Sequence, residues 1–294
     1  MITIQPTETR YVRITHANWN CHWNFQFPES IAFADGWAMD YQPIYPNWQR
    51  LGPESWCYEW RTEEAYVREQ ERYTRHEPTE RRARKAFIVG LSVRAQLDVS
   101  DERSVALTLI LTNESSRPFE RVVCDGGCLQ AKTEAFAGRD EVSRTYIMVG
   151  GAMVSMATLD RTVPMRCMYV CDPVEYERPP LDEGEWFWGR SSAAPDSPVV
   201  VGMESVDGAR AVALVYTDAT SGSANADEHH CIHSRPCFGD IPPGASITRR
   251  GLLVFGSSVQ VVVPSRSENA RQDERMVMPQ LRVLATHSLR RLIE

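Results

Sequence analysis

Residues that could do chemistry are concentrated in one part of the 294-residue chain, the segment 227–256. It contains three of the seven histidines and two cysteines, followed by Asp240; these residues are His229, His230, Cys231, His233, Cys237 and Asp240. Imidazole titrates near neutral pH and also binds divalent metal ions. The segment is therefore a candidate for metal binding or for proton transfer, and three interpretations of it stay open.

The first interpretation is a metal site made by His229, His233 and Asp240. The two histidines are four residues apart, so their rings converge in a helical turn or a tight loop but not along a strand. His22 is a further candidate ligand. Imidazole nitrogen and carboxylate oxygen suit a divalent metal ion, and no other cofactor is indicated by the sequence.

The second interpretation is acid/base catalysis on a sugar. His233, with His22 as a second histidine, would move protons at a carbinol or at a carbon next to a carboxylate. Arg235 or Arg190 would bind a carboxylate or stabilise developing negative charge, and Tyr41 or Tyr146 would donate to a leaving oxygen. The third interpretation contains no chemistry, because hydrogen-bonded loop histidines would give the same pattern.

Tryptophan is concentrated near the N-terminus, where six of the eight residues lie between Trp19 and Trp60. Aromatic rings in a loop-rich segment either fill the edge of a β-sandwich core or form a platform for a flat ligand such as a sugar ring. If the rings form a platform, a second small cluster near residue 188 would contribute to it. The candidate substrate-binding residues are then Trp37, Asp40, Trp48, Trp56, Trp188 and Arg190.

Composition excludes some classes of protein. Hydrophobic residues make up 43% and charged residues 24% of the chain, which is typical of a globular protein with a core. The net charge of −7 argues against a nucleic-acid partner. The first residues show no signal peptide, and no apolar run is long enough to span a membrane. We therefore expect a cytoplasmic protein, although a secreted chain trimmed of its signal would look similar.

The eight cysteines include three pairs that are close in sequence: Cys124/Cys128, Cys167/Cys171 and Cys231/Cys237. On a strand, residues four apart are roughly 13 Å apart, which is too far for a disulfide. The CxxC spacing typical of zinc sites is not present. The sequence therefore predicts free thiols, most of them buried.

Strict alternation predicts the main strands. Apolar residues alternate over 87–99 and again over 105–111, which indicates a long antiparallel hairpin with one buried face. A further strand at 119–123 is interrupted by Asp125-Gly126-Gly127, where paired glycines predict a bulge or a close backbone approach. Asp125 either faces a pocket or is only a turn residue.

Many short strands and few helices predict one large antiparallel two-sheet β-sandwich over residues 1–263. A short charged helix is expected near 62–75. An extension, 264–294, ends in an amphipathic helix after Pro279 that would pack on the sandwich or join subunits of a homo-oligomer.

One resemblance concerns the run Cys231-Ile232-His233-Ser234-Arg235-Pro236, followed by Pro243-Gly244-Ala245-Ser246 and a closing strand. It resembles the end of galactose-mutarotase-like supersandwich proteins, and the overall length is similar. The resemblance implies that fold and sugar epimerase chemistry by a His acid and a Glu base; His233 stands where other members carry Glu.

Together these patterns predict a carbohydrate-active enzyme of the epimerase, isomerase or lyase type, acting on a small sugar or an oligosaccharide. The alternatives are a non-catalytic carbohydrate-binding module and a structural or assembly protein.

Overall fold

The computed structural model describes residues 1–34, 36–40, 46–73, 88–136, 142–171, 189–226 and 230–257. Within these ranges the chain forms two large β-sheets that share one hydrophobic core. The fold is mainly β and, apart from one parallel strand pair, antiparallel, as the alternation of apolar residues predicts.

Eleven described strands form the first sheet: β1 (Ile2–Pro6), β2 (Val12–His16), β3 (Cys21–Gln26), β4 (Ser30–Phe33), β5 (Gly36–Asp40), β10 (Phe119–Asp125), β11 (Cys128–Ala131), β14 (Arg166–Val170), β15 (Gly189–Arg190), β18 (Ala219–Asn225) and β19 (Cys231–Ile241).

Nine described strands form the second sheet: β6 (Gln49–Gly52), β7 (Ser55–Arg61), β8 (Leu91–Asp101), β9 (Ser104–Asn113), β12 (Thr145–Val149), β13 (Ala152–Ser155), β16 (Val200–Glu204), β17 (Arg210–Tyr216) and β20 (Ser246–Ser257). Helix α1 spans Glu64–Tyr73, and single 3₁₀ turns lie at Ala17–Trp19, Val142–Arg144 and Met156–Thr158.

The hairpin of β8 and β9 confirms the strongest sequence pattern. Leu91, Val93 and Leu97 alternate with half-buried Ser92 and Arg94, so one face of the sheet packs into the core and the other does not. Helix α1 lies inside the predicted range 62–75. The predicted C-terminal helix lies outside the described residues.

Strand β19 is central to the first sheet, with β18 on one side and both β10 and β11 on the other. On the far side of β10 and β11 lie β4 and β3, respectively. The segments β10 and β11 are therefore one strand broken at Gly126-Gly127. This break places the end of β10 beside the middle of β19.

The core lies between the sheets. It is filled by the inner-facing residues of both, among them Trp23 and Phe25 from β3 and Leu253 and Phe255 from β20. All eight cysteines belong to the described residues and are free thiols, six of them buried. In the described part of the chain, no helix has the length and apolar character required to cross a membrane.

Candidate active site

Strand β19 presents its side chains alternately to the core and to the outer face of the first sheet. Ile232 and Phe238 belong to the core, whereas Cys231, His233 and Arg235 lie on the outer face. The histidine and the arginine that the sequence singled out are thus brought together by the period of the strand.

The break between β10 and β11 brings a carboxylate to these residues. Gly126 N donates to Ser234 O of β19 over 3.1 Å, and Tyr216 Oη donates to Gly126 O over 2.6 Å. A Cβ on Gly126 would lie 2.5 Å from the Tyr216 ring, so only glycine permits this approach. The predicted close approach at the glycine pair is confirmed, and it fixes Asp125 opposite His233.

A second carboxylate comes from the connection between β3 and β4. Glu29 N donates to Asp125 O over 3.0 Å, which extends the pairing of β4 with β10. From the second sheet, Tyr58 Oη donates to Phe27 O over 2.8 Å. The backbone on both sides of Pro28 is therefore fixed, and the Glu29 side chain is directed at His233.

The four side chains form one compact cluster. His233 Nδ1 lies 2.9 Å from Glu29 Oε2 and 3.3 Å from Asp125 Oδ1. Arg235 approaches Asp125 Oδ2 with both Nε and Nη2 at 3.1 Å. The exposed fractions are 5% for Glu29, 3% for Asp125 and 2% for His233, so water screens these charges little.

The two contacts at His233 Nδ1 differ in kind. The geometry towards Asp125 Oδ1 is that of a hydrogen bond, whereas Glu29 Oε2 makes no hydrogen bond to a described residue despite its shorter distance. One N–H can point at only one oxygen, and the angle favours Asp125. Glu29 Oε2 is therefore a buried oxygen whose described contact is the ion pair with His233.

The surroundings shift the pKa values of the two carboxyl groups in opposite directions. Burial raises the pKa of Glu29 above its ordinary value, although His233 opposes the shift. Burial also acts on Asp125, but the positive charges of His233 and Arg235 outweigh it and lower its pKa. Two acids whose pKa values move in opposite directions can take different roles in a reaction.

His233 is the group between them. Burial alone would lower its pKa, but Cys128, Asp125 and Glu29 raise it well above the ordinary value. Burial raises the pKa of the Cys128 thiol too, so that thiol is neutral near pH 7 and the carboxylates provide the charge. The imidazole is therefore protonated at neutral pH.

On its other side the histidine ring contacts sulfur. His233 Nε2 lies 3.0 Å from Cys231 Sγ, and the Cys128 thiol hydrogen-bonds with Cys231. Among the described residues, two sets have ligand atoms within 4.8 Å of one another: Cys128, Cys231 and His233, and Glu29, Asp125 and His233. Distance alone would permit a cation at either set.

The structure does not bring the predicted metal ligands together. Asp240 is exposed, and it lies seven residues from His233, about 23 Å along the strand at about 3.3 Å per residue. Its Oδ1 accepts from Arg121 N, which has a positive φ of 50° at an irregularity in β10. His229 lies outside the described residues.

The other predicted site residues are spread over both sheets. His22 shares the outer face but is four residues along β3 from Gln26, about 13 Å from the row that contains His233. Arg190 pairs with Met168, whose Sδ is 3.0 Å from Arg235 Nη1. Arg190 therefore belongs to the same face, near its edge.

The described tryptophans of the predicted platform belong to the side of the second sheet. Trp48 is buried against Tyr58, with ring centroids 4.6 Å apart, and Trp56 pairs with the core residue Leu97. The side chains of Trp37 and Asp40 are outside the described part of the structure, and so are Tyr41 and Trp188 as whole residues. The structure therefore does not bring Trp48 or Trp56 to His233.

Sequence reasoning missed Glu29 altogether. It follows Pro28 in an ordinary Phe-Pro-Glu-Ser connection, and nothing in that spacing distinguishes it from a surface glutamate. The only available signal was its position directly after an alternating strand that ends at Phe27. Cys128 was considered only as a structural thiol.

Comparison with known proteins adds fold neighbours. No family model matches the sequence, and no curated protein does either. Similar solved structures include a galactose mutarotase related enzyme from Lactobacillus acidophilus (9% identity, TM-score 0.46, 90% of this chain and 100% of that one). Others are a galactose mutarotase-like protein from Lactobacillus casei (7%, 0.48, 87% and 100%) and an aldose epimerase homologue from C. elegans (9%, 0.44, 88% and 99%).

These neighbours come from the same family that residues 231–246 resemble. Identities below 10% concern the fold alone. The activity of this chain has to be argued from its own residues.

Proposed function

We propose that this chain is a carbohydrate-active enzyme of the epimerase, isomerase or lyase type, with its active site on the outer face of the first sheet. The observation that carries the proposal is the cluster of Glu29, Asp125, His233 and Arg235. Buried charges are costly and are kept where they are paired or put to use. Here Asp125 is hydrogen-bonded to both His233 and Arg235, whereas Glu29 forms an ion pair with His233 only in the described chain.

Glu29 is the group suited to exchange a proton with a substrate. Its carboxylate removes a proton from a sugar hydroxyl, or from a carbon beside a carbonyl or carboxylate, and returns it in the second half of the reaction. In an epimerase no net proton is lost. In a lyase the proton passes to the leaving oxygen while a C=C bond forms and the C–O bond breaks.

His233 and its partners prepare that step. The protonated imidazole lies 2.9 Å from Glu29 Oε2, where its charge favours the ionised carboxylate that acts as base. Asp125 and Arg235 keep the ring in place, because a carboxylate on Nδ1 and an arginine on that carboxylate fix both orientation and charge. Removing either would shift the pKa values of the remaining groups.

The surrounding face suits a ligand rich in hydroxyl groups. Its uncharged polar side chains, identified from the register of the strands, are Asn24, Gln26, Gln130, Ser221, Ser223 and Asn225. Gln26 Oε1 and Ser223 Oγ are buried and have no hydrogen-bond partner in the described chain. Buried polar atoms are nearly always paired, so a bound hydroxyl compound would complete both.

The test is proton exchange measured by ¹H NMR in D₂O on the full chain with a panel of aldohexoses and hexuronates. The galactose mutarotase and aldose epimerase names of the neighbours make aldoses the first sugars to try. We expect faster anomeric interconversion, or exchange of a C–H for C–D, and a loss of about 10²–10⁴-fold in Glu29→Gln.

A matched control is Glu120→Gln, because Glu120 is exposed on β10 and its removal leaves the cluster intact. Binding of a sugar without any exchange would instead support the carbohydrate-binding module. Elemental analysis of the same preparations tests metal assistance, since a stoichiometric metal ion would replace the proton-transfer mechanism. Neither exchange nor binding with any sugar of the panel would contradict the proposal.

A further inference from the structure

The outer face also contains an arrangement that proton transfer by Glu29 does not use. Cys231 Sγ lies 3.0 Å from His233 Nε2, and the opposite ring nitrogen, Nδ1, lies 3.3 Å from Asp125 Oδ1. A thiol, an imidazole and a carboxylate in series are the geometry of an activated nucleophile: a nucleophile, its base and the group that orients the base.

We propose that Cys231 is the nucleophile of a thiolate–imidazolium pair with His233, and that Asp125 positions the imidazolium ring. The chemical class of its target is an aldehyde, and the carbonyl carbon of an open-chain aldose is one example. The proposal shares His233 with the proposed function but does not need Glu29 to be the proton carrier.

Two potential hydrogen-bond donors flank the Cys231 sulfur. The Cys128 thiol, which burial keeps neutral, hydrogen-bonds with Cys231 and can act as the donor. His233 approaches from the other side as a second donor, and Gln130 Nε2 donates to Cys128 Sγ over 3.4 Å. A sulfur that receives hydrogen bonds from two sides is better stabilised as an anion than as a thiol.

A second observation, independent of the cysteine, indicates that a ligand binds here. Ser223 pairs with His233 across β18 and β19, and its hydroxyl is fully buried with no partner among the described residues. On the other side, Gln26 pairs with Cys128 and has an unpartnered Oε1. Both residues therefore belong to the same row across the sheet as His233 and Cys128, and Cys231 lies in the next row of that face.

The covalent step balances without any further reactant. The Cys231 sulfur forms a C–S bond to the carbonyl carbon, the π bond of C=O breaks, and its electron pair moves to oxygen. That oxygen takes the proton from Nε2 of the imidazolium, so the adduct holds a neutral hydroxyl group and a neutral His233 ring. The Ser223 hydroxyl is placed to donate to the same oxygen, and reversal of the step releases the electrophile.

Iodoacetamide is the probe, and mass spectrometry of the full chain locates the label. Here the S–C bond forms as iodide leaves. We expect Cys231 to react about tenfold or more faster than Cys124 and Cys57, which are also buried but have no histidine beside them. In His233→Gln the advantage of Cys231 should disappear.

The pH dependence of the labelling rate distinguishes an activated Cys231 thiolate from a thiol that is only more accessible to iodoacetamide. The titratable and charged groups that face Cys231 and His233 are Cys128 from β11, Asp125 from β10, Arg235 from β19 and Glu29 from the β3–β4 connection. An activated thiolate keeps its rate as the pH falls below the ordinary thiol pKa, whereas an ordinary thiol slows about tenfold per pH unit.

A second measurement needs no change at the histidine. The far-ultraviolet absorbance of thiolate at neutral pH should be smaller in Cys231→Ser than in the wild-type protein, since serine keeps the size of the side chain. Equal labelling of Cys231 and Cys124, or equal thiolate absorbance in the two proteins, would overturn the proposal. Loss of sugar exchange in Glu29→Gln with unchanged Cys231 labelling would leave it standing.

Discussion

His230 and His233 are three residues apart and each has 2% of its surface exposed, yet they have different surroundings. His230 Nδ1 lies 2.9 Å from Phe136 O and Nε2 lies 2.8 Å from Thr145 Oγ1 in the second sheet. A neutral ring, with one donor and one acceptor nitrogen, satisfies both contacts. His233 lies instead between two carboxylates and a thiol.

The difference shows that burial alone does not determine whether a histidine is placed for proton transfer. One ring hydrogen-bonds to a carbonyl and a hydroxyl group, and the other lies among charged groups that can exchange protons. The predictions below test this contrast, from the largest expected effect to the smallest.

The largest effect should be on activity. We expect His233→Gln to lower sugar exchange about 10²–10³-fold, because the charge beside Glu29 and the orientation of the cluster are both lost. His230→Gln should leave the rate within about twofold of the wild type, since the ring nitrogens of His230 bond to Phe136 O and Thr145 Oγ1. Exchange rates by NMR on both folded variants check this, and equal losses would remove the contrast.

The next largest effect is on stability. Asp125→Asn leaves the buried His233 and the part-buried Arg235 without their shared carboxylate, and breaking a buried ion pair typically costs about 3–5 kcal/mol. His230→Gln should cost only about 1–3 kcal/mol for its hydrogen bonds. Urea denaturation followed by tryptophan fluorescence gives both free energies of unfolding; a smaller loss in Asp125→Asn than in His230→Gln would contradict the assignment of charge to His233.

The third largest effect should be the loss of stability on replacing Gly126, the glycine next to Asp125. In Gly126→Ala the new methyl group meets the Tyr216 ring and Pro236 at 2.5–2.8 Å, and overpacking of this kind costs about 1–3 kcal/mol. Gly52→Ala is the matched control, because its nearest neighbour would be 3.8 Å away. The difference in urea midpoint between the two variants measures the effect, and no difference would mean that the chain relaxes freely here.

The smallest effect concerns pH. His233 has a pKa raised above 6.5 in the folded state, so its contribution to stability is complete below pH 6.5 and is lost as the pH rises through the folded value. We expect the free energy of unfolding to fall with rising pH, with a slope of up to about 1.4 kcal/mol per pH unit. Measurement between pH 6.5 and about 7.5 stays below the range in which the thiols of the unfolded chain titrate, around a pKa of about 8.5.

The matched pair of histidine variants sharpens this result. His233→Gln should lose the decline with pH, while His230→Gln should keep it. A decline that persists in His233→Gln would place the titrating group elsewhere.

The architecture was largely predictable because alternation is local. The apolar period over 87–111 determines which face of β8 and β9 is buried, and the polar run at 62–75 determines a helix. The role of the glycine pair after Asp125 was also predictable, since two glycines inside a strand pattern indicate a close backbone approach.

The site was only half predictable, for a topological reason. His233 and Arg235 share one face by strand period, but Glu29 joins them only because β4 pairs with β10 and β10 pairs with β19. Those pairings join residues about a hundred positions apart, and no local pattern encodes them. The same limitation explains why His230 and His233 could not be distinguished in the sequence.

Tyr58 and Tyr216 connect the site to the opposite side of the molecule. Both belong to the second sheet, and their hydroxyl groups bond to the backbone at Phe27 and Gly126, next to the two acidic residues. The separation of Glu29 from Asp125 is therefore tied to the thickness of the sandwich. A substitution that swells the core, even far from any sugar, would change the relative acidity of the two carboxyl groups before it unfolded the protein.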